Sequence, residues 1–234
     1  MIDKIKGLFD LDNPFYSFGK KLVIVLVLNF VFILTCIPIV TIGASMTAMN
    51  GVVMKVINER DVNPFTEYFV IFKQNFLKST PIWLLSMLIM AIMYVDMYYW
   101  FNIGIKEGPY AYVMIALSAV VIVFFLMVLH TVFPLIARFD MTVKGYIINA
   151  VRITLKDLLL SFEGLFFTVA IVGFTFYMVL TATWLIMVYM ILMCFGLNGL
   201  AQAYIYRKVL NKYSEEYVEM IKKYIAEEEM ESEE

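Results

Sequence analysis

Residues 36–45 read CIPIVTIGAS and lie inside residues 22–54, thirty-three positions without a charged side chain. Whether this stretch crosses a membrane once or twice decides where the N-terminus lies and which helices face one another. Pro38 has no N–H to contribute to a helix and disfavours helical backbone at Ile37, while Gly43 permits a turn, so a break belongs at this point. The returning helix, residues 43–57, is short. Fifteen residues rise only about 22 Å, less than the hydrocarbon thickness, so it has to be sunk among other helices or thin the bilayer locally. Gly43, Thr47 and Gly51 form a stripe of small residues at spacing four, with Ala44 and Ala48 beside it. Small residues let helix backbones approach closely in lipid, which marks this stripe as a helix-packing surface.

The whole chain of 234 residues is 62% hydrophobic and 16% charged, with a mean hydropathy of +0.83. An ordinary soluble domain is about half apolar and about a quarter charged, so this composition belongs in a bilayer. A hydrocarbon core about 30 Å thick takes about 20 apolar residues per helix. Four runs qualify, 22–54, 79–105, 108–137 and 164–206, and only Asp96 interrupts them. The last run is long enough for two helices, turning near Ala182 and Thr183. The first lacks a small-residue cleavage site and is too long for a signal-peptide core, so it is expected to be retained.

Lys and Arg number four before the first run, four in residues 55–78, one (Lys106) between the second and third runs, four in residues 138–163 and five after residue 206. Cytoplasmic loops are enriched in these residues. If residues 22–54 cross twice, seventeen basic residues lie inside and one outside, whereas a single crossing would put four lysines outside. The expected fold is therefore an all-α polytopic transmembrane bundle with six crossings, the second one short, and with both termini cytoplasmic. One ordinary helix followed by a cytoplasmic amphipathic helix, giving five crossings, is the alternative. The chain divides into an N-terminal cytoplasmic or interfacial segment (1–20), the bundle (21–206) and a cytoplasmic tail (207–234), and nine of the twenty acids fall in residues 215–234. No basic groove with interleaved aromatics appears outside the apolar runs, so nucleic acid is not an expected partner.

Two amphipathic segments separate the runs. Residues 64–78, PFTEYFVIFKQNFLK, place Phe65, Phe69, Phe72 and Phe76 on one helical face. Residues 142–158 place Ile147, Val151, Thr154 and Leu158 on one face and Lys144, Arg152 and Lys156 on another. Both read as helices lying at the inner membrane surface. The order of inward helix, surface helix and outward helix occurs twice in the same orientation, which suggests a parallel internal repeat.

The stretches DNPFYSFGKKL (12–22), LNFVFILTCIPIVTIGASMTAMNGVV (28–53), FVIFKQNFLKSTPIWLL (69–85) and VFPLIARF (132–139) resemble the YesL-like family of bacterial multi-pass membrane proteins, which has no established biochemical activity. The resemblance implies a bacterial plasma-membrane location. It also implies a context of carbohydrate uptake, because such proteins are often encoded beside ABC-transporter and glycan-degradation genes. ABC-transporter components or another membrane protein are then the implied partners, besides the bilayer itself. No catalytic position is carried over. The expected role is a non-enzymatic accessory or regulatory component associated with carbohydrate uptake; a small transporter is the alternative.

The residues themselves offer little catalytic chemistry. His130 is the only histidine, which excludes HExxH and other two-histidine metal arrangements, and no GxSxG, Walker or GxGxxG stretch is present. Cys36 and Cys194 stand alone in apolar runs and read as packing residues. No catalytic, cofactor-binding or metal-ligating residue is therefore assigned. Asp96, followed by MYYWFN, belongs at the outer headgroup level, and lies about 20 Å in depth from His130, so the two are not a dyad. Met87, Met90, Met93 and Met97 line one helix face and read as flexible packing. One constellation remains. Asn29, Asn50, His130 and Asn198 each lie about 10 Å from the inner end of their own segments and form a candidate polar layer in the inner third of the bundle. Such a layer is either interhelical hydrogen bonding or a substrate site.

Overall fold

The computed structural model describes residues 14–58, 63–181, 184 and 194–215. The expected turn near Ala182 and Thr183, residues 1–13 of the N-terminal segment and the tail beyond Glu215 lie outside the described residues. Within them the chain is all-α and contains no strand. Helix α1 spans Pro14–Cys36, a 3-10 turn Ile39–Thr41, α2 Ile42–Ile57, α3 Pro64–Tyr99, α4 Tyr110–Arg138, α5 Val143–Lys156 and α6 Leu158–Thr181. Residues 194–215 are helical and are called α7. Among the described residues four stretches are long and apolar enough to cross a membrane, Ile39–Ile57, Pro64–Gly104, Tyr110–Arg138 and Leu158–Thr181, and a shorter apolar helix covers Val23–Cys36.

The break at Pro38 is present, and it is closed by side chains. Thr41 Oγ1 donates to the carbonyl of Pro38 at 2.6 Å and to that of Thr35 at 2.5 Å, and Ser45 Oγ donates to Thr35 Oγ1 at 3.0 Å. The Trp83 indole N–H donates to the Ile39 carbonyl at 2.9 Å, and the Tyr68 hydroxyl lies 2.7 Å from Thr35 Oγ1. Carbonyls that a helix end leaves unpaired are thereby satisfied within the protein. The apolar tip is nevertheless uncovered: Ile37, Ile39 and Val40 are all exposed.

Helices α3 and α4 run antiparallel in a continuous register. An ion pair between Lys78 and Asp140 marks one end. Trp83 then packs on Phe133 with ring centroids 6.4 Å apart, Ser118 donates to Asp96, and Trp100 meets Tyr110 at 6.3 Å at the other end. From Lys78 to Trp100 the helix rises about 33 Å, close to the thickness of a hydrocarbon core. The exposed Tyr94, Tyr98, Tyr99, Tyr110 and Tyr112 gather at the far end, as an interfacial aromatic belt does. A π-turn, Trp100–Gly104, and one α-turn, Ile105–Glu107, finish α3. Gly108, at φ 153°, turns the chain towards α4 in a region of backbone space that glycine tolerates.

The α1–α2 hairpin sits at the Lys78 end of this pair. Its turn meets Trp83 and its Gly43 meets Phe133, whereas α3 and its π-turn continue from Trp83 to Gly104, about 30 Å further. The buried core lies at the same end. It joins nearly all of α2 to Tyr68, Ile71 and Ile82 of α3, Val132 to Ile136 of α4, Tyr146, Ala150 and Ile153 of α5, and Ala203, Tyr206 and Leu210 of α7. The other halves of α3 and α4, and most of α6, present apolar side chains outward, as lipid-facing segments do.

The amphipathic segments differ from expectation in detail. The first is not a separate helix, because α3 continues through Pro81 without a break from its N-cap, Asn63, whose side chain accepts from the backbone of Phe65 and Thr66. Its buried face is Tyr68, Ile71, Ser79, Ile82 and Ser86, rotated from the phenylalanine stripe. The small and hydroxyl residues of that face meet the small stripe of α2, which outweighs the preference for burying phenylalanine. The second segment is a separate helix, α5, capped by Thr142. Its buried centre is Tyr146, Ala150, Ile153 and Thr154, while Leu158 is 51% exposed. Tyr146 sets that rotation: its hydroxyl donates to the Phe139 carbonyl at 2.8 Å and accepts from Met141 N at 3.0 Å, closing the turn between α4 and α5.

Candidate functional site

Helices α1, α2, α4, α6 and α7 line a half-open cavity of about 190 Å³ near the hairpin turn. Asn50, His130 and Asn198 of the expected polar layer line it, joined by Thr168 and Gln202. His130 Nε2 lies 2.6 Å from Thr168 Oγ1 and 2.8 Å from Gln202 Nε2. An amide nitrogen only donates, so Nε2 is an acceptor towards Gln202 and the ring hydrogen belongs on Nδ1, facing the Tyr206 hydroxyl 3.5 Å away. Thr168 Oγ1 also lies 2.8 Å from Asn198 Oδ1 and 3.1 Å from the Gly164 carbonyl oxygen, so its single hydrogen is shared among these two oxygens and the imidazole. Tyr206 continues the network to Thr131 at 3.0 Å, and Thr131 lies 3.3 Å from Thr154 of α5. The polar groups of four helices are thereby paired largely with one another.

Asn29 is not part of this cavity. Its Oδ1 accepts from the backbone N–H of Gly196 at 2.8 Å, where α1 and α7 approach so closely that a Cβ on Gly196 would stand 2.5 Å from Val25 Cγ1. Counting residues from a helix end gives height but not direction round the axis, and Asn29 points at a different neighbour. Its role is a clamp between two helices. Replacing it by Leu keeps the branched heavy-atom outline and leaves a buried N–H without its acceptor, which costs about 1–3 kcal/mol. Thermal unfolding of the detergent-solubilised Asn29→Leu variant is expected to fall by several degrees, with Asn29→Asp, which keeps an acceptor oxygen, closer to wild type. Equal melting of Asn29→Leu and wild type would remove the clamp.

Residue type and spacing do not single out Thr168, Gln202 and Tyr206 as readily as the layer residues. A signal for Gln202 exists, since it follows Asn198 by four residues and so shares its helical face within an apolar run. Thr168 carries no such signal, because threonine in a membrane helix commonly bonds its own backbone, as Thr168 also does to Gly164.

The small stripe of α2 faces α3. A Cβ on Gly43 would stand 2.7 Å from Trp83 Cβ and 2.8 Å from the Ser79 carbonyl oxygen; on Gly51 it would stand 2.9 Å from Ile71 Cδ1. Between them Thr47 Oγ1 donates to Ser79 Oγ at 3.2 Å and to the Gly43 carbonyl at 3.0 Å. Asp96 is exposed at the other end of the bundle, where it accepts from Ser118 and from the Trp100 indole. Met87 and Met90 are exposed, and the remaining two methionines of that face are half-buried. Among the described residues no three His, Cys, Asp or Glu side chains come together to hold a metal ion.

Residues 23–97, from α1 through most of α3, match the family model described as a protein of unknown function, DUF624. No curated protein and no solved structure matches the chain.

Proposed function

We propose that this chain is a non-enzymatic accessory or regulatory protein of carbohydrate uptake in the bacterial plasma membrane, with both termini cytoplasmic. The link to uptake rests on the YesL-like resemblance. The observation that favours an accessory over a carrier is the size and state of the interior site: about 190 Å³, with most of its polar groups engaged with each other. Sites for drug-sized ligands occupy about 300–1,000 Å³, so an oligosaccharide has no room here. The function then falls to the cytoplasmic face, where Lys144 and Arg152 of α5 are exposed. The second reading, a small transporter, is favoured by the convergence of Asn50, His130 and Asn198 on one cavity.

Oligosaccharide uptake by cells, divided by the amount of folded protein in the membrane, separates the two. For an accessory protein, His130→Ala and Gln202→Leu lower folding at most, and normalised uptake stays near wild type, since the lost packing contact, worth about 0.6 kcal/mol on average, acts on the folded fraction that the normalisation divides out. The double charge reversal Lys144→Glu with Arg152→Glu lowers uptake at constant folded protein. The opposite pattern makes the cavity a transport site.

The six-crossing reading also needs refinement. The hairpin turn lies about 30 Å short of the turn between α3 and α4, its exposed tip is apolar, and its carbonyls are satisfied inside the protein. Irregular backbone at membrane depth is tolerated where protein satisfies it. The hairpin is therefore read as re-entrant, entering from the inner side and turning within the membrane. Complete crossings then belong to α3, α4, α6 and the returning half of the last apolar run, and both termini remain inside.

A further inference from the structure

Asn50 gives the cavity a property that its own side chains leave open. Nδ2 donates to the Met46 carbonyl at 2.9 Å, which orients the amide, and Oδ1 is buried with no hydrogen-bond partner among the described residues. Asn50 is only 5% exposed to solvent and lines the cavity. A buried acceptor without a donor is unfavourable, and a ligand that brings one removes that penalty.

Charge, surface and size narrow the class of ligand. Apart from His130, no side chain that lines the cavity among the described residues ionises, so a charged molecule would be desolvated without a counter-charge. The walls beside Asn50 are largely apolar, with Phe32, Met46, Met49, Phe133 and Phe195 among them. A volume of about 190 Å³ exceeds the roughly 150 Å³ of a cavity that accepts benzene. We infer that the cavity binds a small neutral amphiphile, a hydroxyl-bearing molecule of about benzene size whose O–H is donated to Asn50 Oδ1 while its apolar body lies against the phenylalanine and methionine walls. Phenols and the hydroxyl-bearing ends of membrane lipids share this chemistry. The site does not depend on the uptake role, because it is defined by an unpaired acceptor and a volume, and a carrier or an accessory protein would hold it equally.

The test compares 4-fluorophenol with 4-fluorotoluene, which has nearly the same shape and no donor, by fluorine NMR on the full chain in lipid nanodiscs, with empty nanodiscs as the reference for partitioning. Saturable binding of the phenol at least tenfold tighter than the toluene is expected. Asn50→Leu abolishes that preference while still binding the toluene, and Met49→Trp, which fills the cavity, loses both. Should Asn50→Leu fail to fold, the wild-type preference and its loss in Met49→Trp still decide. A lipid already in place shows itself as a co-purified hydroxyl-bearing lipid, with saturable phenol binding that appears once the protein is delipidated. Equal affinity for the two probes, an unchanged preference in folded Asn50→Leu, or no saturable binding by delipidated protein overturns the inference and leaves a cavity that holds water alone.

Discussion

Gly43→Leu is expected to remove most of the folded protein from the membrane, and Gly43→Ala to lower its melting temperature in detergent by roughly ten degrees. A Cβ at this position would stand 2.7 Å from Trp83 Cβ and 2.8 Å from the Ser79 carbonyl oxygen. Neither atom is the end of a flexible chain, so the two helices would have to separate. Overpacking costs about 1–3 kcal/mol when side chains yield, and more where backbone stands in the way. Each kcal/mol moves the midpoint of a chain this long by about 2–4 °C. Separation would also pull Trp83 from the Ile39 carbonyl and open the Thr47–Ser79 contact. Gly51 gives a graded comparison, because its obstacle is the tip of Ile71, 2.9 Å away, which swings aside; Gly51→Ala is expected to cost less than half as much. Among the described residues nothing lies within 4 Å of the Gly173 Cβ position, so Gly173→Ala is expected to gain the helix preference of alanine, up to about 1 kcal/mol. Size-exclusion melting curves of the four proteins give the order directly. A Gly43→Ala protein as stable as Gly173→Ala would mean that α2 and α3 do not pack as described.

The small-residue spacing that points to this contact is legible in the amino-acid sequence, and so is the break at Pro38, because both follow from local stereochemistry. Depth and rotation do not. The segment from Phe65 to Phe76 has the pattern of a surface helix, yet α3 buries Tyr68, Ile71 and Ser79 instead, since the partner face on α2 is made of glycine and threonine and rewards close approach over bulk. Asn29 shares a nominal height with His130 but is spent on the Gly196 backbone. Three of the four residues in the expected layer do meet in one cavity. Their hydrogen-bond partner Gln202 shares the helical face of Asn198, but Thr168 comes from α6, whose facing surface no periodicity reveals, because that helix is largely apolar and buries only Ser161 and Gly164.

Cysteines placed at the two turns are expected to give opposite results. In a background carrying Cys36→Ala and Cys194→Ala, Lys106→Cys reacts with a membrane-impermeant maleimide added to intact cells, while Ile39→Cys and Val40→Cys do not. From the basic asymmetry Lys106 is expected on the outer side. A hairpin that crossed the whole bilayer would put Ile39 there as well, and both of its tip residues are exposed on the protein surface, so protein packing would not shield them from the reagent. In the re-entrant geometry the tip meets α3 at Trp83. Trp83 is only five residues, about 7.5 Å, above the Lys78–Asp140 ion pair, which marks the end of the paired stretch of α3 and α4 expected on the inner side. Lipid then covers the tip, and a membrane-permeant maleimide is needed to label it. A cysteine at Lys55, the position that pairs with Glu67 at the far end of α2, serves as the inner marker and reacts with the impermeant reagent only in inverted vesicles. Labelling of Ile39→Cys from outside at the rate of Lys106→Cys would restore two full crossings for residues 22–54, and would require α3 to pass the outer surface by about 30 Å beyond Trp83. That stretch is lined by the exposed Leu84, Leu88, Ile92 and Val95, which water does not favour, and this is the physical reason for expecting the tip to stay silent.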